Sequence, residues 1–296
     1  KALVCIYLFG GNDSLNMLMP MEGDPRTLYE ESRQNLAVAS PIALTTNSVF
    51  DGIAGMHPSL SPIQSVFDSA NLAFVGGVGT LLAPTTLDDY KNKSVSIPEH
   101  LFSHNDQQAS WMYGREKQTL NSGWGARLLE RLEQQEQFAT NISLDGTNLW
   151  QTGTSTQAFS LNKSGITKIN AFSDYEPRAN HVTSIMNRLL ANASHPLSSA
   201  YASSLTSAID NTELMNNALE EAPELTTQFS ETSLSEQLST VAKTISIQSA
   251  LSSERQVFFV SLGGFDTHDD QLEKHPVLLE TLAQGLSEFN SAMEEL

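Results

Sequence analysis

The sequence has one cysteine, few basic residues and no long apolar run. Cys5 is the single cysteine among 296 residues, so these residues cannot form a disulfide with one another. Its place in an apolar segment favours a buried core thiol over a reactive one. Lys and Arg total 16 and Asp and Glu total 34, which gives a formal net charge of −18. Such a surface repels phosphate backbones and anionic lipids, so we expect no nucleic-acid partner. No run approaches the roughly 20 apolar residues of a membrane span.

Two apolar segments end in paired glycines that are followed by acidic residues. Residues 2–9 lead to Asp13, and residues 256–262 lead to Asp266 and His268. Continuous apolar runs of this kind predict strands that are buried on both faces of a parallel sheet. Sites in open α/β sheets form beyond the carboxyl ends of the strands. We therefore expect parallel strands, adjacent or one strand apart, that bring Asp13 and Asp266 to one edge of the sheet.

The remaining pattern predicts an α/β fold with a helical middle. A helix at about 60–70 and a strand at 72–75 resemble the alternation of a doubly wound sheet. Further predicted elements are a helix at 124–137, a strand at 141–144, helices near 178–193, 197–220 and 233–252, and a last helix from about Pro276. We expect one domain, 1–296, with a core of 1–149 and 251–296 and a helical insertion or lid at 150–250.

Asp266 and His268 lie two residues apart in one loop, so both can face one centre. Carboxylate and imidazole ligands suit zinc, manganese or iron better than calcium. The alternative is that Asp266 and Asp270 cap the next helix while His268 packs locally. Asp13 has its own alternative as a turn residue.

Ser103 offers a hydroxyl nucleophile near a helix N-terminus, where backbone N–H groups can stabilise an anion. Its alternative role is a plain N-cap. His57 precedes a proline and can fix the start of a helix. His100, His181 and His275 are expected at the surface. We find neither a P-loop nor a dinucleotide-binding motif.

Six segments, in the same order, resemble the exported bacterial proteins grouped as domain of unknown function 1501. They are LFGGNDSLNMLMP at 8–20, HPSL at 57–60, LAFVGGVG at 72–79, SHNDQQ at 103–108, GWGARLLE at 123–130 and GGFDTHDDQ at 263–271. The family looks like a branch of the alkaline phosphatase and sulfatase superfamily. The resemblance implies a three-layer α/β/α sandwich with a mostly parallel sheet and a divalent metal at the strand ends. Zinc is favoured, with manganese, iron or calcium as alternatives.

The resemblance also assigns roles to individual residues. Asp13 corresponds to the first-strand metal ligand, and Asp266 with His268 corresponds to a later ligand loop. Ser103 lies near the expected nucleophile, a match that rests on order along the chain rather than on a motif. Twin-arginine export and a periplasmic location, with the signal removed, are implied as well.

One departure from the family changes the expectation for this chain. The family continues past the last helix with a Ser-Glu-Phe-Gly-Arg-like strand and a Thr-Asp-His-like motif, and neither occurs here. We therefore expect a missing C-terminal part, weak or absent metal binding, and an exposed sheet edge open to self-association. One functional hypothesis is a metal-dependent hydrolase of small anionic phosphate or sulfate esters. The other is a non-catalytic exported binding or assembly protein that keeps the fold.

Overall fold

The computed structural model describes residues 1–45, 53–114, 122–132, 140–162 and 195–296, with four further helical residues at 181, 184, 185 and 188. The strands are β1 (Ala2–Leu8), β2 (Leu18–Pro20), β3 (Ile42–Ala43), β4 (Ala54–Met56), β5 (Asn141–Ser143), β6 (Phe159–Ser160) and β7 (Gln256–Leu262). The helices are α1 (Gly23–Arg33), α2 (Gln64–Asp68), α3 (Leu87–Asn92), α4 (His104–Tyr113), α5 (Trp124–Leu132), α6 (Pro196–Glu220), α7 (Ser233–Ser246) and α8 (Gln271–Glu295).

Four strands form a parallel sheet in the order β1-β7-β5-β6. Ala2 lies opposite Gln256 and Leu8 opposite Leu262, so the predicted parallel pairing of β1 and β7 is confirmed. The α/β class and the mostly parallel sheet are confirmed with it. β1 is an edge strand, because no strand within the described ranges pairs with its outer side, and Leu3 is 40% exposed.

Helices pack on both faces of this sheet because the side chains of β7 alternate between them. Phe258 and Val260 lie in one apolar cluster with residues of three helices, namely Met215 of α6, Leu238 and Val241 of α7, and Leu282 of α8. Phe259 lies in a cluster on the other face with Trp150, Met112 of α4 and Leu129 of α5. Cys5 packs against this second cluster. Burial raises the pKa of its thiol to about 11, as expected for a core residue.

The side chain of Gln237 in α7 hydrogen-bonds to the backbone of β7 at the point where the neighbouring strand β5 has ended. β5 stops at Ser143, which pairs with Phe259, so Ser261 extends beyond it. Gln237 Nε2 donates to the Ser261 carbonyl at 3.0 Å, and Gln237 Oε1 accepts from the Ser261 N–H at 3.1 Å. A buried side-chain amide thus satisfies backbone groups that a longer β5 would have paired.

The segment between β1 and α2 forms a second, antiparallel sheet in the order β2-β4-β3. Pro20, Pro25 and Pro41, with several glycines, predict a long loop with short elements here. Met56, Leu60 and Phe67 are buried in one cluster with Leu279 of α8. This small sheet and the 3₁₀ turn Pro58–Ile63 therefore pack beneath α8.

One predicted strand and one predicted helix start are wrong. Residues 72–75 do not form a strand. Leu72 and Phe74 contact the cluster beneath α8, but Val75 is 79% exposed, so only alternate side chains are covered and the segment lies at the surface. The last helix begins at Gln271 rather than near Pro276, which lies inside it.

Some of the other predicted helices are confirmed, and others lie partly outside the described residues. α6 and α7 match two of the three helices expected in the middle of the chain, and β5 matches the short strand expected there. Most of the helix predicted at 178–193, and the end of the one predicted at 124–137, lie outside the described residues. In the parts of the chain that are described, no helix is both long and apolar enough to cross a membrane, in agreement with the expectation from composition.

Candidate functional site

The loops that follow β1 and β7 pack directly on each other at the carboxyl edge of the sheet. The Phe9 N–H donates to the Leu262 carbonyl at 3.0 Å, and the Phe265 N–H donates to the Phe9 carbonyl at 3.1 Å. Gly10 has φ +107°, and a β-carbon there would lie 2.4 Å from the Asp266 nitrogen. Only glycine fits this conformation and this approach, so the first paired glycine positions the loop that carries Asp266.

Asp266 lies between two histidines from different parts of the chain. Its Oδ1 is 3.0 Å from His268 Nε2 and 3.8 Å from His104 Nε2. The three side chains are about half or more exposed, at 49% for Asp266, 77% for His268 and 53% for His104. His268 also has φ +46°, a conformation that is uncommon for a residue other than glycine and recurs at functional sites.

Ser103 is the N-cap of α4, directly before His104. Its side chain accepts a hydrogen bond from the Asp106 N–H at 3.4 Å. Ser103 therefore acts as the N-cap of α4, which is the alternative role that the sequence left open for it. His104 is the first residue of α4 and its Nε2 lies 3.8 Å from Asp266 Oδ1, so α4 meets the Asp266 loop through the residue that follows Ser103.

Asp13 is held by a cation from within the chain. Arg33 Nη2, at the end of α1, forms an ion pair with Asp13 Oδ2, and Gln271 Nε2 donates to the same oxygen at 3.0 Å. Gln271 Oε1 in turn accepts from Thr267 Oγ1. Asp13 makes no side-chain cap bond to the short 3₁₀ turn after it, so the turn-residue alternative lacks side-chain support. Arg33 Nε is buried and has no hydrogen-bond partner among the described residues.

Two buried histidines lie beside this ion pair. His275 Nε2 is 3.0 Å from Asn12 Oδ1, and the His57 and His275 rings meet edge to face with centroids 6.0 Å apart. Burial lowers the pKa of both imidazoles. The other imidazole lowers the pKa of His57 further, and the Arg33 charge lowers that of His275 further.

The burial of His275 corrects the expectation that it lies at the surface. Its residue is 2% exposed, because α8 begins earlier than predicted and places His275 one turn before Leu279 on the buried side of the helix. His57 Nδ1 accepts from the Ser59 N–H at 3.1 Å, so its expected role at a helix start is confirmed. His100 and His181 are exposed as predicted.

Sequence reasoning missed three neighbours of the site: His104, Arg33 and His275. His104 follows Ser103 directly, so its position at a predicted helix start was the one sequence feature that could have identified it as a site residue. Arg33 follows Asp13 by 20 residues with no motif to connect them. The environment of His275 depends on where α8 begins, which its internal proline obscures.

The donor types near Asp266 suit zinc, which binds imidazole nitrogen and carboxylate oxygen. Ligand atoms about 2.0–2.2 Å from one tetrahedral zinc ion lie roughly 3.4 Å apart, and the Asp266 oxygen lies 3.0 and 3.8 Å from its two imidazole nitrogens. No group of three or more His, Cys, Asp or Glu side chains within the described ranges is already arranged to hold an ion. Binding of a zinc ion by Asp266, His268 and His104 would therefore require small rotations of these exposed side chains. At Asp13 the Arg33 charge opposes a cation.

Comparison with known proteins agrees with the resemblance noted in the sequence. Residues 1–296 match the family described as "Protein of unknown function (DUF1501)". No curated protein and no solved structure matches the chain. Because the family match covers all 296 residues, the chain belongs to the DUF1501 family.

Proposed function

We propose that the protein is a metal-dependent hydrolase of phosphate or sulfate esters, of the alkaline phosphatase and sulfatase type. The observation that carries the proposal is the cluster of Asp266, His268 and His104 beyond two adjacent parallel strands, beside a serine-capped helix N-terminus. Enzymes of open α/β sheets place their chemistry at this edge. The fold alone does not assign the reaction, so the proposal depends on the cluster.

In this proposal Asp13, Asp266 and His268 hold a divalent metal, with zinc favoured over manganese, iron or calcium. The metal would supply a Lewis acid that polarises the ester oxygen. Ser103 would supply the attacking hydroxyl: its oxygen would bond to the phosphorus or sulfur as the bond to the alcohol oxygen breaks, the serine proton would leave with the alcohol, and water would then hydrolyse the serine ester to release phosphate or sulfate. The N–H groups in the first turn of α4 would stabilise the negative charge that develops on the ester group.

The three-layer α/β/α sandwich, twin-arginine export and a periplasmic location belong to the same proposal. Helices that contact both faces of the parallel sheet support the layer arrangement. Export and location rest on the family resemblance alone, and detection of the protein in a periplasmic extract would test them.

The test uses the protein with its natural termini, purified without chelators. We expect about one metal ion or more per chain by mass spectrometry, together with hydrolysis of 4-nitrophenyl phosphate or 4-nitrophenyl sulfate. Asp266→Asn should lose both metal and turnover. Asp269→Asn, an exposed carboxylate in the same loop, is the matched control and should keep both. A folded wild-type protein with neither metal nor turnover would reject the hydrolase.

A second function, a non-catalytic binding or assembly protein, is favoured by one observation. Arg33 already neutralises Asp13, and both side chains are largely buried, at 21% and 17% exposed. A stable internal ion pair needs no metal at this position. If this function is correct, zinc will not raise the melting temperature of the folded protein, because a ligand stabilises only a state that it binds.

A further inference from the structure

His104 occupies a defined position against the end of β1. Gly11 has φ +84°, and a β-carbon there would lie 3.3 Å from Cε1 and 3.4 Å from Nδ1 of the His104 ring. The opposite ring nitrogen, Nε2, is the one near Asp266. The second of the paired glycines thus leaves room for the imidazole, whose Cε1–Nδ1 edge lies against the backbone.

Stability does not explain why a histidine lies on each side of Asp266. Ion pairs between exposed groups contribute about 0–1 kcal/mol, and His104, Asp266 and His268 are all substantially exposed. His268 also adopts a strained backbone. Gly10 and Gly11 hold the site loop and the His104 ring close to the end of β1, and a bound ligand explains why two histidines then flank one exposed carboxylate.

We propose that His104, Asp266 and His268 together form a three-ligand zinc site, with His104 as a ligand that the family resemblance does not assign. Two imidazoles and one carboxylate form a donor set typical of catalytic zinc, which keeps a fourth position open. The inference rests on the proposed function, since it extends the same site. It differs from the ligand set of the proposed function because the Asp13–Arg33 ion pair stays intact and Asp13 is not required as a ligand.

The test is zinc binding by the metal-free protein, measured by calorimetric titration, with cobalt(II) absorption as a second measurement of ligand geometry. His104→Ala and His268→Ala should each weaken zinc binding by at least about tenfold, because each removes one of few ligands. His100→Ala is the matched control. It is an exposed histidine in the same segment, and its described bonds use its backbone carbonyl. Its zinc affinity should equal that of the wild type.

His104→Gln separates loss of a ligand from loss of the fold. It keeps a polar side chain at the start of α4, so the protein should fold with the thermal midpoint of the wild type and still lose zinc affinity. Wild-type affinity in both His104 variants would overturn His104 as a ligand while leaving the hydrolase proposal in place. A wild-type protein that binds no zinc would overturn the site itself.

Discussion

A β-carbon at Gly10 would lie 2.4 Å from the backbone nitrogen of Asp266. The obstructing atom belongs to the main chain, so no side-chain rotation relieves the contact. The end of β1 and the site loop after β7 therefore fit together only while residue 10 is glycine.

Gly10→Ala should destabilise the protein by more than about 1–3 kcal/mol, because backbone strain at positive φ alone costs that much and the contact adds to it. Urea unfolding measures the change. Gly263→Ala is the matched control in the other glycine pair, since no atom of the described residues lies within 4 Å of where its β-carbon would be, and its φ is not positive. It should change stability by less than about 1 kcal/mol. Equal losses in the two variants would contradict the loop-packing argument.

The Asp13–Arg33 pair should show strong coupling in a double-mutant cycle of Asp13→Asn and Arg33→Met. We expect about 1–3 kcal/mol, because both groups are largely buried and each single change leaves a charge without its partner. The control cycle uses Asp270 and Lys274, an i,i+4 pair whose side chains are 53% and 56% exposed. Its coupling should stay at about 0.3–0.5 kcal/mol, as is usual for exposed helix pairs. Similar values for the two cycles would refute a special role for Arg33.

Ser103→Ala and Ser103→Asn separate the nucleophile from the N-cap. Loss of the cap in Ser103→Ala should cost about 1 kcal/mol, whereas Asn is a good N-cap and should cost little. If Ser103 is the nucleophile, both variants should lose ester turnover and keep their metal. Thr232→Ala removes the cap of α7, where the Thr232 side chain accepts from the Ser235 N–H, and should lower stability alone. Turnover that survives in either Ser103 variant rejects the covalent mechanism.

The buried pair His57 and His275 should make stability depend on pH. Their native pKa values are lowered by burial, by the neighbouring imidazole in the case of His57, and by Arg33 in the case of His275. As the pH falls through about 6.5, the unfolded chain binds protons that the native imidazoles do not, so the free energy of unfolding decreases. The decrease ends once the pH is below the native pKa values.

The double variant His57→Gln/His275→Gln tests this dependence. Its loss of stability between about pH 7.5 and about pH 5.5 should be smaller than that of the wild type, by urea unfolding at each pH. His100→Gln removes an exposed imidazole and should leave the wild-type pH profile unchanged. An unaltered profile in the double variant would show that the buried pair does not titrate differently in the two states.

The parts of the fold that were predictable depend on local patterns. β1 and β7 are continuous apolar runs, which suit strands covered on both faces, and clusters on both faces of β7 now explain that composition. Residues 72–75 are similarly apolar but do not form a strand. An apolar sequence predicts that a segment is buried, but it does not predict whether a neighbouring strand or another part of the core covers it. Leu72 and Phe74 find that burial against a cluster beneath α8 instead.

The sequence by itself determined where the strand runs end, where glycine permits a turn, and that Asp266 and His268 share one loop. These features depend on backbone conformation and on residues close together in the chain. Only the tertiary structure decided that His104 lies beside Asp266, that Arg33 neutralises Asp13, and that His275 is buried against His57. Each of those contacts joins residues of separate elements, so it forms only when the sheet and its helices pack together. The spacing of these residues along the chain therefore could not predict the contacts.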